Sequence, residues 1–168
     1  MIKFKVFGFG SSEERAPAAS LQVVPQEAAM PLEAIPINPN GKRVLIVDDD
    51  AVFRKATSIK LQAAGFQVRT AKEGPEAIAV LGESPADVIL LDINFPADVC
   101  NGGMGSWDGF QIMTWIRGLP AAKGARFMIV SSSDAAWDRQ RAQKLGAIAY
   151  FAKPLDHEKV IAAVNAVN

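Results

Sequence analysis

The chain has 168 residues and is 49% hydrophobic, enough for one domain with a core of its own and some tail left over. Its 18 basic residues balance its 18 acidic ones, which leaves no surplus positive charge for a phosphate backbone and argues against nucleic-acid binding by this chain alone. A single cysteine, Cys100, and a single histidine exclude an internal disulfide and a soft-ligand zinc site, and no apolar run approaches the roughly twenty residues of a bilayer span.

With no transmembrane segment and no signal peptide in this pattern, the expectation is a soluble protein of the reducing cytoplasm. Residues 1–40 hold five of the ten prolines, scattered among Ala, Ser, Glu and Gln without a sustained period, which is linker composition. At the head of this extension, MIKFKVFGFG sets Ile2, Phe4 and Val6 against Lys3 and Lys5, the alternation of a strand with one apolar face. Such a peptide suits docking at a partner's sheet edge or a membrane interface, with a disordered tail as the alternative.

From Gly41 to the end, short runs rich in Val and Ile alternate with longer amphipathic segments, the pattern of repeated βα units. Arg43–Val47 is apolar without alternation, as a strand covered on both faces requires, and it breaks off at Asp48, Asp49 and Asp50. A helix over 51–64 is predicted from Val52, Phe53, Ala56, Ile59, Ala63 and Ala64; Asp50 stands at its N-cap and Gly65 stops it. A strand at Gln67–Ala71 then leads to a short helix over 75–81. The most apolar strand, 88–91, ends at Asp92. Beyond a glycine-rich connection come a helix over 110–119, a strand over 127–130 ending in Ser131, and a helix over 138–145. A short strand at Ala149–Ala152 and a last helix over 157–167 complete five βα units. The predicted fold is α/β, a five-stranded parallel sheet wound on both faces.

Ligands of an open parallel sheet bind beyond the carboxyl ends of its strands. Those positions hold Asp48, Asp49 and Asp50, then Asp92, Ser131 and Lys153. Carboxylates gathered at one edge repel one another, and a hard divalent cation with oxygen ligands, Mg²⁺ or Mn²⁺ in its place, relieves the repulsion. A lysine and a hydroxyl facing that cation suit a transferring phosphoryl group, whose charge must be neutralised on several oxygens.

Four blocks in order, VLIVDDD, LLDINFP, the SSS after FMIV, and YFAKP, resemble the signatures of the receiver domains of response regulators in two-component signalling. The resemblance covers residues 42–168 and implies a flavodoxin-like fold related to the chemotaxis regulators. It implies that Asp92 is the phosphoacceptor, and that Asp48, Asp49, Asp92 and the backbone carbonyl of Asn94 hold the metal. Ser131 and Lys153 would bind the phosphoryl oxygens, and Tyr150 would be the aromatic switch. The implied partners are a histidine kinase or histidine phosphotransfer protein as donor and an effector protein that the sequence does not name.

Other residues carry plainer readings. Asp50 is read as a cap, His157 as a solvated or capping residue of the last helix, and Ser132 or Ser133 as an alternative to Ser131. Trp137 and Trp107 are either interface anchors or partly buried core. The chain departs from the family between Pro96 and Asp108, where ADVCNGGMGSW forms an insertion at about 97–107 in place of a short turn. Either it covers the phosphorylation site or it is a tolerated surface loop. With no output domain following the last helix, the expected protein is a stand-alone receiver at 41–168, a signalling protein rather than an enzyme. Its rivals are a pseudo-receiver that binds without phosphorylation and a Mg²⁺-dependent aspartyl-phosphate hydrolase. The hydrolase usually has a second acid two residues after its nucleophile, where this chain has Asn94.

Overall fold

The buried runs become five short strands in a computed structural model, which describes residues 41–95 and 108–168. Ile2, Phe4, Val6, Cys100, Trp107 and the insertion lie outside the described residues. The strands are β1 (Arg43–Val47), β2 (Gln67–Ala71), β3 (Val88–Asp92), β4 (Arg126–Ser131) and β5 (Ala149–Ala152). All pair in parallel, in the order β2-β1-β3-β4-β5. Helices α1 (Ala51–Ala63), α2 (Gly74–Glu83), α3 (Gly109–Arg117), α4 (Ala136–Lys144) and α5 (His157–Asn165) connect or follow them, as the predicted doubly wound α/β fold requires.

Side chains alternate across a strand, so each strand serves two cores. Leu45, Val47, Ile89, Leu91, Phe127 and Ile129 pack with Leu81 of α2, Ile112, Met113 and Ile116 of α3, and Ala142 of α4. Val44, Ile46, Val88, Leu90, Met128 and Val130 pack with Leu61 of α1 and Val160 and Val164 of α5. The chain therefore leaves β1 toward one face and the adjacent β3 toward the other, which opens a crevice at their shared carboxyl edge.

Helix boundaries differ from the sequence reading by one or two residues. Helix α2 continues to Glu83, and α4 starts at Ala136 instead of 138. Only Asp138 and Ala142 of α4 are buried, so it lacks the apolar stripe that marks a helix start in sequence. Gly65, at φ +90°, ends α1 in the left-handed conformation that glycine adopts without strain. The capping reading of His157 is corrected: Asp156 caps α5 by accepting the Lys159 N–H, and His157 is half-buried with Nε2 3.4 Å from Thr57 Oγ1. A carboxylate capped the helix, and the ring turned to pack against α1.

Candidate functional site

Register sets the site. Val47 pairs with Leu91, so the next residues, Asp48 and Asp92, stand side by side at the crevice. Both are buried, at 1% and 3% exposure. Asp48 Oδ1 accepts the Asp50 N–H at 2.9 Å, and Asp92 Oδ1 accepts the Asn94 N–H at 2.8 Å. Asp49 is half-buried, and one carboxylate oxygen from each of Asp48, Asp49 and Asp92 lies within 4.8 Å of the others. The carboxylate of Asp50 is used elsewhere: Oδ1 accepts from Val52 N at 2.8 Å and Phe53 N at 3.2 Å, which is the N-cap read from sequence.

Lys153 joins this pair from β5. Ser131 is level with Ala152, and the Lys153 N–H donates to Ser131 O at 2.7 Å; a cis peptide then leads into Pro154. The ammonium reaches Asp48 Oδ2 at 2.7 Å and Asp92 Oδ2 at 2.6 Å, and lies 4.4 Å from the ring centroid of Phe53. Phe53 is a neighbour that the sequence suggested only as core. Burial pulls the ammonium pKa down, but hydrogen bonds and charge from Asp48 and Asp92 outweigh it, so the group stands above the usual lysine value.

Burial is also the largest influence on Asp48 and raises its pKa to about 6; the Lys153 hydrogen bond opposes this, and the charge of Asp92 adds to it. Although paired with Lys153, Asp48 Oδ2 is buried without a hydrogen bond of good geometry. An under-coordinated carboxylate oxygen beside two further carboxylates is a donor set for a hard cation, so the residues present fit Mg²⁺.

At the end of β4, the buried Ser131 donates to Asn94 Oδ1 at 2.9 Å and accepts the Ser133 N–H at 3.0 Å. Asn94 Nδ2 donates to Ser132 Oγ at 2.9 Å. Ser133 Oγ donates to Asp138 Oδ2 at 2.8 Å, and Tyr150 donates its hydroxyl to Ser133 O at 2.7 Å. Tyr150 is half-buried, and burial pushes its phenol up. The loop after β4 is thus tied to Asn94, α4 and Tyr150 together.

The structure brings together Asp48, Asp49, Asp92, Asn94, Ser131 and Lys153, with Tyr150 one bond further along the loop. Trp137 stands apart on α4 at 62% exposure, which removes the core reading; Arg141 lies 5.7 Å from its ring. Sequence reading gave Asn94 a binding role only through its carbonyl and missed its side-chain bonds to Ser131 and Ser132. The same reading missed Arg141, which bonds the α3 cap Asp108 at 2.8 Å and lies over Phe110 at 4.4 Å. A polar residue two places past a buried strand-end acid was the available signal for Asn94. Arg141 gave none, because Asp108, 33 positions earlier, and Phe110 lie at the start of α3.

The family described as the response regulator receiver domain matches residues 44–165, and the chain belongs to that family. The probable chemotaxis protein CheY of Rhizobium etli is 33% identical over 126 residues, covering 74% of this chain and 91% of that one. The transcriptional regulatory protein GltR of Pseudomonas aeruginosa is 34% identical over 129 residues, 76% of this chain, which spans only 49% of that protein's length. The solved chemotaxis protein CheY4 of Vibrio cholerae superposes with a TM-score of 0.65 at 28% identity, covering 76% of this chain and 98% of that one. Receiver domains are signalling modules of two-component systems that accept phosphate from histidine kinases and generally bind Mg²⁺ in an acidic pocket. Among the described residues, no helix is long and apolar enough to cross a membrane.

Proposed function

We propose that Asp92 accepts a phosphoryl group from a histidine kinase or a histidine phosphotransfer protein, and that the chain signals by phosphorylation-dependent binding to an effector protein. The observation that carries this reading is the Lys153 ammonium lying 2.6 Å from Asp92 and 2.7 Å from Asp48, both buried, beside the Asp49 carboxylate. Bound by Asp48, Asp49, Asp92 and the carbonyl of Asn94, Mg²⁺ or Mn²⁺ supplies charge neutralisation at the phosphoryl oxygens.

The protein's own groups do the rest. An Asp92 carboxylate oxygen forms a bond to phosphorus as the P–N bond of the phosphohistidine breaks, and the electron pair leaves with the imidazole, which takes a proton from water. The Asn94 N–H, bonded to Asp92 Oδ1, holds the carboxylate in one orientation. Lys153 transfers its ammonium from carboxylate to phosphoryl oxygens, and Ser131 turns its hydroxyl to the same oxygens. As Ser131 moves, the Ser133 carbonyl that holds Tyr150 moves with it, and the face of α4, β5 and α5 changes. The exposed Trp137 gives that face an aromatic anchor for a partner.

Residues 41–168 form the receiver in this reading, residues 1–40 an extension in which Ile2, Phe4 and Val6 dock on a partner, and the cytoplasm is the place of action. Incubation with phosphoimidazole tests it directly, because that donor carries the same P–N bond as phosphohistidine. Labelling is expected to require Mg²⁺, to be lost with EDTA, and to slow about 100-fold in Lys153→Ala. Sustained turnover of a simple phosphate ester would instead favour the hydrolase, and folded protein that takes no label would favour the pseudo-receiver.

A further inference from the structure

A serine hydroxyl has one proton to donate. In Ser131 that proton is committed to Asn94 Oδ1 at 2.9 Å, while the Ser133 N–H occupies an acceptor position at 3.0 Å. The same amide of Asn94 donates from Nδ2 to Ser132 Oγ at 2.9 Å. Its main-chain N–H is held in turn by Asp92 Oδ1 at 2.8 Å. One side chain therefore spans from the end of β3 to the loop after β4 and is bonded at both sides. Ser131 cannot donate to Asn94 and to a phosphoryl oxygen on Asp92 at the same time. Asn94 thus competes directly with the phosphorylated state for the hydroxyl that the switch needs.

We propose that the Asn94 side chain is a latch, a positioning residue that holds Ser131 and Ser132 in the unphosphorylated arrangement and so sets the resting balance of the switch. The latch rests on the reading of Asp92 as phosphoacceptor and Ser131 as the hydroxyl that follows the phosphoryl group. Hydrogen bonds made in only one of two states bias the equilibrium by their net strength, about two- to tenfold for each neutral bond. Ser132 is exposed and is not the hydroxyl assigned to the phosphoryl group, so its bond to Asn94 reports on the latch.

Beryllofluoride, which occupies an aspartate as a phosphoryl mimic and is not hydrolysed, separates the latch from effects on phosphate lifetime. Its affinity for the full chain in Mg²⁺ is read by fluorine NMR titration. Asn94→Ala keeps the main-chain carbonyl and N–H, and the exposed position of Asn94 keeps the substitution compatible with the fold. This variant is expected to bind beryllofluoride about three- to tenfold tighter, with Ser132→Ala moving the same way by about twofold. In a Ser131→Ala background the Asn94 substitution is expected to tighten binding by no more than the about twofold of the remaining Ser132 bond, because the hydroxyl it chiefly restrains is gone. Unchanged or weaker binding in Asn94→Ala, or equal tightening without Ser131, overturns the latch while leaving the acceptor reading in place. Failure of the unsubstituted chain to bind beryllofluoride overturns that reading and the latch with it.

Discussion

At the scale of single residues, one ammonium is shared by two buried carboxylates while a third carboxylate stands beside them. Asp48 bears the cost, with a pKa raised to about 6 mainly by burial, against about 3.9 for an unfolded aspartate. Between those two values the folded state holds a proton that the unfolded state has released. Stability from this group is therefore full below about pH 4 and falls as pH rises through about 6, by about 2–3 kcal/mol in the absence of divalent cation. Asp48→Asn removes that cost. In urea titrations with EDTA, the variant is expected to exceed the unsubstituted protein by about 2–3 kcal/mol at pH 7.5, and the gap is expected to close toward pH 4. The variant is also expected to lose most stabilisation by added Mg²⁺. A gap that does not vary with pH would assign the gain to something other than this charge.

At the scale of elements, the start of α3 is pressed against the end of β3. A Cβ on Gly109 would lie 2.3 Å from both Asp92 O and Ile93 Cα, so only glycine fits where the helix meets β3. Asp108 fixes that start with a capping box, accepting the Gln111 N–H at 2.7 Å while Gln111 Oε1 accepts the Asp108 N–H at 3.0 Å. Gly109→Ala is expected to cost about 1–3 kcal/mol in chemical denaturation and to slow labelling by shifting the carbonyl of Asp92. Unchanged stability would mean that α3 can move away freely. Elements of this kind were legible in sequence to different degrees. The strands were read nearly to the residue, the central β1, β3 and β4 from continuous apolar runs whose length suits a strand covered on both faces. Helix α1 was equally plain from Asp50 to Gly65. The start of α4 was not, since a helix with so little buried apolar surface is written in polar residues that loops also use.

At the scale of the whole molecule, the parallel ladder carries acids from two strands, a hydroxyl from a third and a lysine from a fourth to one edge. Strand ends gave that set in sequence because position along a buried strand determines which edge a residue reaches. Links across loops were not legible: Asn94 meets Ser131 across 37 positions and Arg141 meets Asp108 across 33, and no local period encodes either. A continuous chain of hydrogen bonds runs from Asp92 through Asn94, Ser131 and Ser133 to Asp138 of α4, beside the exposed Trp137, and to Tyr150 of β5. The insertion at 97–107 is tested at this scale by its effect on phosphate lifetime. Trimming residues 98–106 is expected to change the dephosphorylation half-life of the labelled chain, and an unaltered half-life would leave the insertion without a shielding role.

The central claim is that Asp92 takes the phosphoryl group, and intact-protein mass after incubation with Mg²⁺ and acetyl phosphate tests it most directly. One phosphoryl adduct per chain is expected in the unsubstituted protein and none in Asp92→Asn, with both proteins folded by circular dichroism. An adduct that persists in Asp92→Asn, or its absence from folded protein that binds Mg²⁺, would contradict the account.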